Sequence, residues 1–178
     1  MSIFDKDLKK IINKMVVDIR DIGINPDQTV VCNINTINGY FKKGALYSYR
    51  LNESIENIVQ VNKYFLNSRK IFINDCHDGN SSEFNYLPKH CYEDIECSII
   101  DELGSFAAGA LSTIICKNSS NGFICSDFLK SYTPFLLSDD LLYFIITGGY
   151  TDIDILQFAL SLSSFFNERN LHNKKFHK

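Results

Sequence analysis

Short apolar runs of strand length, set between segments of helical periodicity, are the feature that most narrows what this chain can fold into. Thr29 to Ile34 (TVVCNI), Lys70 to Asn74 (KIFIN), Leu111 to Cys116 and Leu141 to Thr147 (LLYFIIT) each read as buried strands. Leu8 to Ile22 carries Leu8, Ile11, Ile12, Met15, Val16 and Ile19 at helical spacing, and Gly23 and Pro26 end it. Ile55 to Leu66 reads as a helix with Asn52 or Ser54 as its cap. Ile99 to Leu103 reads as a short helix, and Ser126 to Tyr132 as another that Pro134 breaks. Asp152 to Phe166 has unbroken helical character. Strands alternating with helices predict right-handed βαβ units. The expected fold class is therefore α/β, a three-layer α/β/α arrangement around a mainly parallel, Rossmann-like sheet.

In such sheets ligands sit beyond the carboxyl ends of the strands, near the point where strand order reverses. Three predicted strands run into Asn35, Asp75 and Lys117, and the fourth runs into Gly148-Gly149-Tyr150-Thr151-Asp152. The chain has 178 residues, enough for one domain with a proper core. We expect a single domain over 1–178, with 1–27 as an N-terminal helical extension. A net charge of -3 gives no reason to expect a nucleic-acid partner. The basic cluster Lys174, Lys175 and Lys178 is expected to fray in solvent. No run of about 18 apolar residues is present, so no membrane partner is expected. The charged first ten residues lack the apolar core of a secretory signal. A cytoplasmic location follows as an expectation, and the six cysteines are then expected to be free thiols.

Asp75-Cys76-His77, Glu83 and His90 gather four metal-type ligands within a short segment. Residues two apart on a strand end project to one side, so Asp75 and His77 can share an ion that Glu83 and His90 complete. Imidazole with carboxylate suits zinc, with iron or manganese as alternatives, better than calcium. The competing reading is a polar surface loop that binds nothing. Cys91 and Cys97 are alternative ligands, and equally good as small buried hydrophobes.

Taken together, these motifs resemble the isochorismatase-like cysteine hydrolases, and most closely the nicotinamidase-type members, from about Thr29 to Asn170. Asn35 to Tyr40 followed by Gly44-Ala45-Leu46 is similar to the segment after the family's first strand. Asp75, His77, Glu83 and Pro88-x-His90-Cys91 resemble its metal motif. Lys117 to Phe123 resembles the segment that opens with its catalytic lysine, and Thr147 to Ile153 the stretch leading to its catalytic cysteine. The resemblance implies a thiolate at a helix N-terminus that attacks an amide carbonyl. It further implies a carboxylate base, a supporting lysine, and backbone N–H groups beside a cis peptide that hold the oxyanion. The metal would orient the ligand, and Tyr40, Phe41, Leu46, Phe123, Tyr150 and Thr151 would line the pocket.

At two of the three triad positions the sequence departs from this pattern. Asn35 stands where the family has its aspartate, and Asp154 where it has its cysteine. An asparagine amide is no base at neutral pH, and a carboxylate is a far poorer nucleophile toward an amide than a thiolate. Neutral Asn35 beside a Lys117–Asp154 pair would keep the charges balanced. The leading expectation is a catalytically degenerate member that binds a divalent metal and a small amide-type ligand such as a nicotinamide. One alternative is an active amidohydrolase in which Asp154 serves as base on water. Another is a structural or homo-oligomeric protein with an inert site.

Overall fold

The computed structural model describes residues 23–44, 46–75, 97–117, 141, 143–168 and 175–177. Five parallel strands form its centre: β1 (Thr29–Ile34), β2 (Arg69–Asp75), β3 (Ser112–Lys117), β4 (Tyr143–Gly148) and β5 (Lys175–His177). Their order across the sheet is β3-β2-β1-β4-β5, with every pairing parallel. Each described connection must therefore cross over a face of the sheet, which is why helical segments alternate with strands. The helices are α1 (Asn38–Phe41), α2 (Tyr49–Glu53), α3 (Ile55–Tyr64), α4 (Asp101–Ala107) and α5 (Leu156–Glu168).

All six residues of β1 are buried, as a central strand covered on both faces requires. Residues level with each other across parallel strands share a face, so Ile34, Ile73 and Ile115 line up. They pack with Phe158, Leu162, Phe165 and Phe166 of α5. The opposite face presents Phe72 to Ile58 of α3 and Leu103 of α4, and Val31 and Ile145 to Phe65. The two apolar layers thus sit on either side of one sheet, the three-layer α/β arrangement expected.

Several boundaries differ from expectation. A first helix-rich segment, α1 and α2, replaces the loop expected between Asn35 and Arg50. Its two helices are four and five residues long, too short for a helical periodicity to show: Tyr40 and Phe41 of α1 and Leu51 of α2 turn toward the core, while Tyr49 and Arg50 are exposed. Ser54 occupies the position before α3 yet makes no side-chain cap bond, and Asn52 donates to the Phe41 carbonyl at 2.8 Å. The helix expected from Ile99 begins instead at Asp101, because Ile99 is bridged to Ile37. Lys175 belongs to β5, not to a frayed tail, because Tyr143 to Ile145 supplies a partner edge that no local signal announces. The N-terminal helix expected over Leu8 to Ile22 and the helix at Ser126 to Tyr132 lie outside the described residues.

Lys70, on an otherwise apolar strand, is buried and donates to the carbonyls of Phe65, Leu66 and Ser68 at 2.8, 2.9 and 3.1 Å. The chain leaving α3 has no further helical turn to take these acceptors, and the ammonium satisfies all three. Burial pulls this lysine below its usual pKa range. Across the same face, Asn33 of β1 and Asn62 of α3 exchange amide hydrogen bonds of 3.2 and 2.9 Å. Asn62 also donates to the Ile58 carbonyl, and the Thr147 hydroxyl of β4 donates to Asn33 at 2.8 Å. The network ties β1, β4 and α3 together just below the carboxyl ends of the strands.

Candidate functional site

The strand order places β2 and β3 on one side of β1 and β4 on the other, so the topological switch point falls between the carboxyl ends of β1 and β4. Asn35, the first residue past β1, adopts a left-handed conformation with φ 49°, which asparagine tolerates better than most side chains. Its N–H donates to the Ile73 carbonyl at 2.8 Å, holding the turn against β2. Across the switch point, Gly148 has φ 123° and the Gly149 N–H donates to the Ile34 carbonyl at 3.1 Å. The next peptide, Gly149–Tyr150, is cis.

Past this bond the chain does not enter α5 directly. Thr151–Ile155 forms one wide turn in which the Ile155 N–H donates to the Tyr150 carbonyl, five residues back, at 3.0 Å. Such single π turns allow a side chain to be placed where an α-helix would not put it. Asp154 lies within this turn, is buried at 6% exposure, and its Oδ2 accepts the Tyr150 N–H at 3.1 Å. A carboxylate therefore holds the N–H of the Gly149–Tyr150 peptide itself.

Tyr150 extends away from that bond. Its hydroxyl donates to the Leu46 carbonyl, and its ring meets Tyr40 edge-on with centroids 5.3 Å apart. Tyr40, Leu46 and Tyr150, three of the expected pocket residues, are thus brought together over the switch point. Thr151 is exposed beside them. Phe41 is a different case. It is fully buried with Ile37, Ile58 and Phe72, because α1 turns it under the loop and into the core, so it is a packing residue and not a pocket wall.

Asp75 and Lys117 occupy the last positions of β2 and β3 and lie level with each other across the sheet. Asn35, Asp75, Lys117 and Asp154 are in this way delivered to one end of the sheet by four consecutive strand exits. His77, Glu83, His90 and Phe123 lie outside the described residues, as do Cys76 and Cys91. Among the described residues, no group of three or more histidine, cysteine, aspartate or glutamate side chains could hold a metal ion. Two polar atoms at the same strand ends went unnoticed in the sequence. Among the described residues, Asn74 Oδ1 and Thr36 Oγ1 are buried without a hydrogen-bond partner, a state uncommon in native structures. The signal that could have drawn attention to them is a polar residue closing an otherwise apolar run.

Cys32 is the described thiol nearest this end of β1, and it faces the α5 layer. Burial pushes it from an ordinary 9.0 up to about 12. A thiol so held is neither nucleophile nor metal ligand at neutral pH. The folded value lies above the unfolded one, so Cys32 contributes stability that is fully present below pH 9.0 and is lost as pH rises toward about 12. Native protein at pH 8 is expected to leave Cys32 unlabelled by iodoacetamide, as read by peptide mass mapping, with labelling after denaturation in urea. Rapid labelling of the native chain at Cys32 would contradict this burial.

Comparison with protein-family models gives no match, and comparison with curated proteins gives none either. Solved structures do match. The pyrazinamidase of Pyrococcus horikoshii, determined in complex with zinc, superposes with a TM-score of 0.63 at 16% identity, covering 78% of this chain and 79% of that one. The pyrazinamidase/nicotinamidase of Streptococcus mutans gives 0.61 at 17% identity over 83% and 82%. The N-carbamoylsarcosine amidase of Thermoplasma acidophilum gives 0.56 at 15% over 84% and 79%. The chain has the isochorismatase-like hydrolase fold. Within that fold, the stretch from Thr147 to Ile153 that resembled the approach to a catalytic cysteine forms the β4 exit, the cis peptide and the wide turn bearing Asp154. Of the described helices, none is long and apolar enough to cross a membrane.

Proposed function

We propose that this chain is a catalytically degenerate member of the isochorismatase/nicotinamidase hydrolases, one that binds a small amide-type ligand without thiol catalysis. The observation that carries the reading is the 3.1 Å hydrogen bond from the Tyr150 N–H to Asp154 Oδ2. In the family resemblance, backbone donors beside a cis peptide hold the oxyanion of the tetrahedral intermediate. Here a buried carboxylate already occupies such a donor. A second negative charge developing there would be repelled instead of stabilised, at a position where electrostatic stabilisation is worth the most. Asp154 thus removes the nucleophile and blocks the oxyanion site in one substitution, and Asn35 removes the base.

Neutral Asn35 beside Lys117 and Asp154 forms, in this reading, a charge-balanced unit in place of a triad. Asp75, His77, Glu83 and His90 would hold a divalent cation, zinc by the chemistry of imidazole and carboxylate donors. Asp75, at the carboxyl end of β2, stands where ligand groups gather in such sheets. When bound, the ion would supply a Lewis-acid contact that orients a ligand's ring nitrogen. The chain's own residues do the rest: Tyr40, Leu46 and Tyr150 wall the pocket, and Asn35 offers amide hydrogen bonds. A cytoplasmic location suits this reading.

The test is a hydrolysis screen with nicotinamide, pyrazinamide and related amides at neutral pH, with and without added zinc. Wild-type protein is expected to release no ammonia above the buffer rate. The double variant Asn35→Asp/Asp154→Cys is expected to release it, because aspartate also tolerates a left-handed φ and the loop can stay as it is. Clear wild-type turnover that disappears in Asp154→Ala would overturn the proposal in favour of Asp154 acting as a general base on water.

A further inference from the structure

A second cleft, of about 660 Å³, opens behind the Gly148–Thr151 loop, between that loop and the start of α3. Its size falls within the usual range of small-molecule sites. Neither Asn35 nor Asp154 contributes to its lining among the described residues. Two kinds of wall meet there. Leu51, Ile58, Ile146 and Ile155 form an apolar side. The same lining holds Arg50, Asn57 and Thr151, whose side chains make no hydrogen bond or ion pair within the described residues.

Among the described residues, Arg50 is the one charged residue in this lining, which holds no carboxylate. An apolar wall with a few convergent polar groups is the usual composition of a ligand site, and here every unspent group can donate. Serine hydroxyls elsewhere in the cleft are partly committed: Ser54 Oγ donates to the Leu51 carbonyl at 2.7 Å. The Thr147 hydroxyl is likewise held by Asn33. Among the described residues, what remains available is a guanidinium fork, a side-chain amide and the hydroxyls of Ser48 and Thr151. A carboxylate satisfies the fork with two parallel charge-assisted bonds, and its single negative charge matches a cleft with one cation better than a phosphate dianion or a neutral group does.

We propose that this cleft binds a small monocarboxylate with an apolar body. Arg50 takes the carboxylate, Asn57 and Thr151 donate to its remaining lone pairs, and the body lies against Leu51, Ile58 and Ile146. Gly148 and Tyr150 belong to both this cleft and the loop carrying Asp154, so the two sites share a wall while binding different chemistry. The proposal is independent of whether Asp154 is catalytic.

Benzoate is the probe, titrated into the full chain by isothermal calorimetry and by amide chemical-shift mapping. Saturable one-to-one binding is expected with a Kd on the order of 1 mM, as suits so few atoms. Arg50→Gln is expected to weaken it by about ten-fold with the circular dichroism spectrum unchanged, since the side chain is exposed. Lys63→Gln, which removes a charge from the last turn of α3 and outside this lining, is expected to leave the affinity as it was. Benzamide, neutral and of the same shape, is expected to bind about ten-fold more weakly than benzoate. The absence of saturable benzoate binding in the millimolar range overturns the proposal. So does equal affinity in Arg50→Gln, or benzamide binding as tightly as benzoate.

Discussion

Gly148→Ala is expected to destabilise the fold by at least about 3 kcal/mol, and to disorganise the candidate site with it. Two independent reasons converge on this position. Its φ of 123° is one that an L side chain rarely adopts. A Cβ there would also lie 1.8 Å from the Ile34 carbonyl oxygen, 2.7 Å from its carbon and 2.9 Å from its nitrogen. The obstacle is the backbone of the neighbouring strand, so no rotamer change relieves it. β1 and β4 would have to separate at the switch point, breaking the Gly149 N–H to Ile34 carbonyl bond. Gly104 provides the control. It lies within α4, and a Cβ there meets nothing within 4 Å, so Gly104→Ala is expected to be neutral or stabilising by a few tenths to about 1 kcal/mol. Urea unfolding of both variants makes the comparison. A Gly148→Ala midpoint close to wild type would show that the close approach of the two strands is not what the structure describes.

Asn62→Leu is the second large effect, expected to cost about 2 to 4 kcal/mol. The leucine fills a similar volume, so the loss is not a cavity. What it leaves behind is the fully buried Asn33 amide, stripped of both reciprocal bonds. A buried donor without a partner loses its hydration and receives nothing in exchange. Asn33→Leu is expected to cost a similar amount, because it leaves Asn62 Oδ1 without its donor and the Thr147 hydroxyl without its acceptor, while Asn62 keeps only its bond to the Ile58 carbonyl. Replacing both asparagines removes the unsatisfied amides of each single variant and leaves only the Thr147 hydroxyl without its acceptor, so the double variant should lose less than the two singles combined. A coupling of at least about 1 kcal/mol is expected from the double-mutant cycle by urea unfolding. Additive losses would mean that the pair does not act as a unit.

The consequence for the site is geometric. Asn33 sits two residues before Asn35, and Thr147 one residue before Gly148. The buried network therefore fixes the spacing of the two strand ends from which the candidate site is built. A loosened network would widen the gap between Asn35 and the cis peptide, even with every site residue present. The amide screen run on Asn35→Asp/Asp154→Cys accordingly depends on leaving Asn33, Asn62 and Thr147 untouched.

The α/β class, the bounds of β1 and the positions where chemistry could gather are all written in the order of residues along the chain. These were legible because burial on both faces demands an uninterrupted apolar run, and such a run shows where it stops. The exits at Asn35, Asp75, Lys117 and the Gly148-Gly149 pair needed no partner to be seen. The resemblance carried by the motifs around them pointed to the fold that the solved structures then matched. Tertiary structure decided what local patterns could not encode. The Asn33–Asn62 pair spans 29 residues, and β5 exists because β4 offers it an edge. Phe41 becomes core because α1 turns it inward. Above all, the wide turn at Thr151–Ile155 carries the Asp154 carboxylate back onto the Tyr150 N–H. Its sequence has unbroken helical character, and only the folded path from the β1–β4 contact into the wide turn sets where that carboxylate lies.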